Sequence, residues 1–376
     1  MTNADSTPRY PIERISTGTP ARGVTDAISS MMNKTGIPGM SVAAVDGDRV
    51  LFAAGYGHAD LAANTPATST TGYLWFSMTK MVTATAAVRL SDEGRLDLDA
   101  PVGEYVGYLR APGKVQPSVR QLLTHTSGLG NPLPVRWAHR ADSEPPDPEA
   151  LLRRLMGHPR AYRYPAGGIA RYSNVGYLAA GQIIAAAAGI PFEDYVRHSV
   201  LHPLGMDTTG FGQAGEDPTA TGYVKAPRVM DPFLRRLLPP GVAGDRYGTH
   251  LSLNPFRVDG PAYGGLIGDV LDAAKFLRMH LRDGELDGQR VLTPESARGM
   301  RLLEYPGKPF RHGTGWFRRP TESAEPWVEH LGTGVGFWNV MRLYPGRKRG
   351  VVIMSNSTAA YDFEPLMELV AGASWT

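Results

Sequence analysis

The sequence predicts an α+β fold: an antiparallel sheet flanked by helices and assembled from both ends of the chain, with an all-helical subdomain inserted between. Two observations carry this. Strand-like apolar runs occur near residues 40–55 and again after Thr314, whereas from about 76 to 205 the apolar spacing is helical. The order is therefore strand, helix, strand, without the β-α alternation of a parallel sheet.

In chain order, residues 1–22 are polar, rich in Pro, Ser and Thr, and read as a loosely held arm. Thr25 to Asn33 has helical spacing (Ala27, Ile28, Met31, Met32) that closes at Gly36 and Pro38. Asp46-Gly47-Asp48 lies between the apolar runs Met40–Val45 and Arg49–Gly55, a hairpin signal. Ala84–Leu90, Leu151–Met156 and Leu178–Ala188 read as helices broken by Gly and Pro. Asn131 to Pro148 is Pro-rich with few apolar anchors and reads as a long surface loop, a place where substrate selectivity often resides. Residues 207–262, rich in Gly and Pro, carry no clear period. A helix follows Asp269, then strands at Gly315–Arg318, Val335–Leu343 and Gly350–Ser355, and a closing helix at Glu364–Ala371. The expected organisation is one catalytic unit, 23–376. Its α/β subdomain spans about 23–75 and 260–376, and its helical subdomain about 76–259.

Of 376 residues, 42% are hydrophobic and 20% charged, the balance of an ordinary globular protein. Cysteine is absent, which excludes disulfides, thiolate metal sites and a cysteine nucleophile. Basic residues are short, scattered and mostly arginine, giving no nucleic-acid footprint. No signal-peptide pattern and no long apolar span is visible, so a soluble cytoplasmic protein with no membrane partner is expected. There is no G-x-S-x-G, H-E-x-x-H, Walker or G-x-G-x-x-G motif. His198 and His202 have i, i+4 spacing but no third ligand, and fit a helix end better than a metal. No metal and no cofactor is expected.

Three short motifs remain. Ser77-Met78-Thr79-Lys80 precedes a helical run, so Ser77 either caps that helix or is a nucleophile whose proton Lys80, one turn on, can take. The second role requires burial and the helix dipole to draw the lysine pKa toward neutrality. Tyr172-Ser173-Asn174 opens another helical run. Tyrosine can relay a proton if a cation favours its phenolate, asparagine can orient the lysine and a substrate carbonyl, and the plain alternative is a helix cap beside a packed tyrosine. His330-Leu331-Gly332-Thr333-Gly334 opens the C-terminal strands, where glycines admit a substrate to the strand edge and a backbone N–H can join that of Ser77 in an oxyanion hole. Each motif alone is weak: by chance roughly a third of a Ser-x-x-Lys pair is expected in such a composition. Together, in this order, they are much stronger.

With these motifs the chain resembles the serine β-lactamase and penicillin-binding-protein superfamily, in the branch of class C β-lactamases, D-alanyl-D-alanine carboxypeptidases, D-aminopeptidases and family VIII esterases. Further family-like stretches are Gln121–Leu129, Arg171–Tyr177, His202–Asp207 and Gly264-Gly265-Leu266. The resemblance implies a β-lactamase/transpeptidase-like fold and an acyl-enzyme on Ser77. It implies Lys80 and Tyr172 as the acid/base pair, Asn174 as positioner of substrate and lysine, and His330 and Gly332 as substrate-binding residues of the third motif. Thr333 would supply the second oxyanion N–H, and His125, Thr126 and Ser127 would be structural. Class C β-lactamases resemble K-T-G at the third motif; His330 replaces that fixed charge by one that depends on pH. The expected function is hydrolysis of carboxylic esters, or acyl transfer to an alcohol or amine. The alternatives are a D-amino-acid peptidase or weak β-lactamase, and a non-catalytic scaffold. The expected partner is a small-molecule ester or amide; the sequence carries no signal for oligomeric state. Trp316, Phe337 and Trp338 fit the sheet core better than an acyl pocket.

Overall fold

The computed structural model describes residues 12–15 and 22–375, apart from 111–112, 114, 133, 135–136, 213–218 and 322–324. Most of the N-terminal arm therefore lies outside the described residues; within it, Ile12–Ile15 is a strand paired to Val50–Asp60. The main sheet is antiparallel, with strand order Ile12–Ile15, Val50–Asp60, Gly39–Val45, Arg349–Ser355, Phe337–Tyr344, Val328–Gly334, Phe317–Arg318, Arg311–His312, Tyr305–Pro306. N- and C-terminal strands meet where Gly39–Val45 pairs with Arg349–Ser355, as the strand-helix-strand order requires. The Asp46 carboxylate tightens the first hairpin by accepting the Asp48 and Arg49 N–H groups.

Period-two alternation divides the core. Val42, Ala44, Val351 and Ile353 face the helices Arg22–Thr35 and Glu364–Gly372. Ala43, Val45, Val352 and Met354 face the opposite way, toward Thr79–Asp92 and Val270–Leu281. The same alternation acts on the strand Val328–Gly334. Leu331 turns to the terminal-helix side, and Glu329 is buried in an ion network with Arg342, Arg319 and Glu364. Removing one partner of such a buried pair costs on the order of 3–5 kcal/mol, so this network fixes the register that sends His330 and Gly332 to the other face.

The inserted subdomain departs from the all-helical expectation. Besides Pro148–Met156 and Asn174–Ala188 it holds a three-stranded sheet (Tyr223–Lys225, His250–Leu253, Ala243–Tyr247) and the pair Ala138–Arg140 with Phe256–Val258. These strands have three to five residues and one is interrupted by a register shift, too short to show alternation in the sequence. The central helix Thr79–Asp92 is buried along nearly all its length, which its Ala and Thr residues permit by letting neighbouring segments approach closely.

Candidate active site

Ser77 sits in a 3-10 turn, Phe76–Met78, that runs into the helix Thr79–Asp92. It does not cap that helix: Met78 holds the cap position and no side chain bonds there. Phe76, the residue before Ser77, has φ +46, a strained conformation for a bulky side chain. Its surroundings enforce it. The Trp75 indole Nε1–H donates to the Gly268 carbonyl at 3.1 Å, Asn339 Nδ2 donates to the Leu74 carbonyl at 2.9 Å, and the Leu266 N–H donates to Thr79 Oγ1 at 3.2 Å. The strand Val328–Gly334 presses on the turn from the side. A Cβ on Gly332 would stand 2.1 Å from the Trp75 carbonyl oxygen, and one on Gly334 would stand 2.2 Å from the Phe76 ring. The third-motif glycines therefore make room for the turn that carries Ser77, a closer constraint than the admission of substrate expected of them.

Lys80 is fully buried and its Nζ lies 2.9 Å from Ser77 Oγ and 2.8 Å from the Tyr263 carbonyl oxygen. The rings of Tyr172, Tyr263 and Tyr177 surround it at 4.9, 5.3 and 5.5 Å, and no carboxylate pairs with it among the described residues. Aromatic faces favour an ammonium, but loss of hydration outweighs them and pushes the Lys80 pKa well below its ordinary value. Tyr172 shifts the other way: burial raises its pKa and a hydrogen bond to Ser77 opposes this only in part, so the phenol keeps its proton. The phenolate anticipated from sequence is thus the minor form. An amine drawn toward its neutral form and a phenol that keeps its proton flank one hydroxyl.

Tyr172 is clasped by His125. The His125 carbonyl accepts the Arg171 N–H at 2.7 Å, its Nδ1 accepts the Ser173 N–H at 3.1 Å, and its ring packs on Tyr172 at 4.4 Å. This acceptor role leaves the His125 proton on Nε2. Ser173 caps the helix Asn174–Ala188 through its own hydroxyl, as the plain reading of that motif has it. Asn174 does not hold Lys80; the Tyr263 carbonyl does. The Asn174 side chain sits at the cavity instead, its Oδ1 buried without a hydrogen-bond partner among the described residues. His330 is buried, its Nδ1 bonded to the Leu331 carbonyl at 2.7 Å, its ring 4.6 Å from Phe317 and 6.1 Å from Tyr172. Burial, and then the nearby Lys80, lower its pKa well below the usual imidazole value, which corrects the expectation of a pH-dependent charge there.

Ser77 opens into a cavity of about 330 Å³ lined by Phe76, Trp137, Asn174, Phe256, Tyr263 and Thr333, with Pro134, Ala138, Leu237, Leu238, Pro239, Val242, Val258, Gly334 and Val335. The insert supplies most of this lining, from the loop Asn131 to Pro148 and from the stretch 207–262. No Asp, Glu, Lys, Arg or His is among the described lining residues. His330 and Gly332 stand behind it. Trp316 packs with Phe276 and His280, Trp338 with Tyr361, and Phe337 with Phe76 and Phe256. No cluster of three His, Cys, Asp or Glu side chains able to hold a metal occurs among the described residues. The His198 Nδ1 is engaged with the Asp194 carbonyl oxygen.

Sequence reasoning missed Tyr263 and His312. The Gly264-Gly265-Leu266 stretch adjoins the first; the second, 5.1 Å from His125, carries no local signal.

A family model described as Beta-lactamase matches residues 24–371. Protein flp of Staphylococcus aureus (strain COL) is 25% identical over 333 residues, 88% of this chain and 62% of the relative, so the chain spans about three fifths of that protein's length. Among solved structures, the octameric penicillin-binding protein homologue from Pyrococcus abyssi is 26% identical with a TM-score of 0.77, covering 94% of this chain and 77% of the other. The D-amino acid amidase from Ochrobactrum anthropi SV3 is 25% identical with a TM-score of 0.73, covering 93% and 97%.

Proposed function

This chain belongs to the Beta-lactamase family of serine hydrolases, and from that premise we propose that it hydrolyses uncharged carboxylic esters through an acyl-enzyme on Ser77. The observation that carries the proposal is a buried lysine amine 2.9 Å from a serine hydroxyl, at the floor of a cavity without charged lining side chains among the described residues. As Ser77 Oγ attacks the ester carbonyl carbon, its proton passes to neutral Lys80 Nζ. The Ser77 and Thr333 N–H groups receive the oxyanion. When the tetrahedral intermediate collapses, the Tyr172 phenol gives its proton to the leaving alkoxide and regains one from the Lys80 ammonium. Water, or another alcohol, then attacks the acyl carbon, its proton moves to the Lys80–Tyr172 pair, and Ser77 is re-protonated.

Amide hydrolysis at D-residues is the second reading, and Asn174 favours it, since an unpartnered buried Oδ1 at the cavity suits a substrate N–H. A fluorophosphonate probe read by intact mass should label wild type and leave Ser77→Ala unlabelled; an equal adduct on both would sink the nucleophile assignment. Short-chain nitrophenyl esters should be cleaved with higher kcat/KM than D-alanyl anilides or nitrocefin, and a reversal of that order would replace the ester reading by the amide one. Tyr172→Phe should slow esters with poor leaving alcohols more than nitrophenyl esters, because only the former need a proton donor.

A further inference from the structure

Large exposed apolar side chains are mostly scattered singly along the described chain, as at Val115, Ile169, Ile190, Leu302 and Leu369. Between Arg228 and Leu237 four of them gather: Val229, Met230, Phe233 and Leu237, with relative exposures of 82%, 39%, 56% and 39%. This segment is a 3-10 turn, Arg228–Met230, continuing into the helix Asp231–Leu237. Val229, Phe233 and Leu237 recur every four residues and so share one face. A helix on a globular protein ordinarily turns such a stripe to the core; here it faces outward.

Two features say what meets it. The charge is one-sided: Arg228, Arg235 and Arg236 are exposed, Arg235 also donating to the Ala243 and Gly244 carbonyls, and Asp231, the lone acid in the segment, is paired with Arg246. The position is also particular, because Leu237, at the end of the stripe, lines the Ser77 cavity together with Leu238 and Pro239. We infer that this face docks on an anionic lipid surface, seating its apolar stripe among the acyl chains and its arginines among the headgroups, with the cavity mouth against the interface. The docking segment is a seven-residue helix apart from the one bent helix pair, Asn174–Ala188 with Phe192–Leu204, that has the length and composition to cross a membrane, so the inferred attachment is peripheral, in the plane of the interface, against the sequence expectation of no membrane partner. A second copy is the poorer occupant, since a two-fold pairing of this face sets its arginines against one another. The docking follows from the exposed segment; only its use, delivery of a water-insoluble ester to Ser77, rests on the ester reading.

Sedimentation of the full chain with equimolar phosphatidylglycerol/phosphatidylcholine vesicles tests this, beside pure phosphatidylcholine. Wild type should sediment with the anionic vesicles and leave them at high salt. The double variant Val229→Ser, Phe233→Ser should bind about tenfold more weakly while hydrolysing a soluble nitrophenyl ester at the wild-type rate, which reports an intact fold. A wild type that stays in the supernatant, or a variant that binds undiminished, overturns the proposal. So does a concentration-dependent dimer in sedimentation velocity that the double variant abolishes without any vesicle binding. Vesicle binding with no ester turnover keeps the docking surface and removes the ester reading.

Discussion

Two walls meet at Ser77, and they are built by opposite means. The wall that carries Lys80, Tyr172, His125 and Tyr263 is buried and tied by directional bonds between distant parts of the chain: Lys80 to the Tyr263 carbonyl, the Ser173 N–H to His125, Trp75 to Gly268. The facing wall, made by Pro134, Trp137, Ala138, Leu237, Leu238, Pro239, Val242, Phe256 and Val258, is apolar. It is held by a three-residue strand pair and by single contacts such as the Ala141 N–H to the Pro255 carbonyl at 2.9 Å. Hydrogen-bond geometry is exacting, so the first wall can place a proton acceptor to within tenths of an ångström. Apolar contact is forgiving, so the second can change its shape without disturbing the first. Under the proposed function, reactivity and selectivity would thereby be separated.

The largest effect should come from the first wall. Lys80→Met keeps the buried volume and removes the base, and kcat/KM for a nitrophenyl ester should fall by about 10³-fold or more. The pH profile supplies the sign. Because burial pushes its pKa well below the ordinary lysine value, Lys80 can act as a base at lower pH than an exposed lysine, and wild-type activity should decline as acid protonates the amine. That acid limb should vanish from the residual rate of Lys80→Met. A variant that retained the wild-type rate would place reactivity elsewhere and dissolve the contrast between the walls.

His125→Asn tests whether the first wall depends on its clasp. His125 has φ +61, which asparagine tolerates, so the backbone is spared while the ring and its acceptor leave Tyr172 and the Ser173 N–H. About a tenfold fall in kcat with KM unchanged is expected, with a stability loss on the order of 2 kcal/mol. Equal changes in kcat and KM would mean that His125 is not a positioning residue. Trp137→Ala, in the second wall, should leave kcat for acetate esters within about twofold and raise kcat/KM several-fold for longer acyl chains, by enlarging the cavity. A collapse of acetate turnover would show the walls to be coupled.

The same division explains what the sequence disclosed. Ser77 and Lys80 are one helical turn apart, so local spacing alone brings them together. Tyr172 and the third motif entered as a recurrent pattern, and the structure brings Tyr172 beside Lys80 while setting His330 and Gly332 behind the cavity. The main sheet was legible because its central strands are apolar runs of seven or eight residues, buried along nearly their whole length. Across 207–262 the strands are too short to alternate, and the apolar wall they support was left unfolded by sequence reasoning. The Tyr263 carbonyl was hidden for another reason: a backbone oxygen carries no residue signature, and 183 positions separate it from Lys80.

The smallest expected effect concerns the footing of the first wall. Trp75 hangs from Gly268, and the next residue, Asp269, caps the helix Val270–Leu281 by accepting the Leu271 and Asp272 N–H groups. Burial, and then the carboxylate of Asp272, which also takes Lys275, raise the Asp269 pKa from 3.8 to about 6. A folded-state pKa above the unfolded one contributes stability that is fully present below pH 3.8 and lost as pH rises through 6. Asp259, bonded to His139 beside the apolar wall, also has its pKa raised by burial, so the loss due to Asp269 is read as the difference between wild type and a variant at that position. Asp269→Asn keeps a competent cap and removes the charge. Urea unfolding at pH 4 and pH 7 should show wild type losing on the order of 1–2 kcal/mol more than the variant between those values. Identical pH dependence in the two proteins would mean that Asp269 ionises without cost, and that the footing of the wall carrying Lys80 is indifferent to pH at this position.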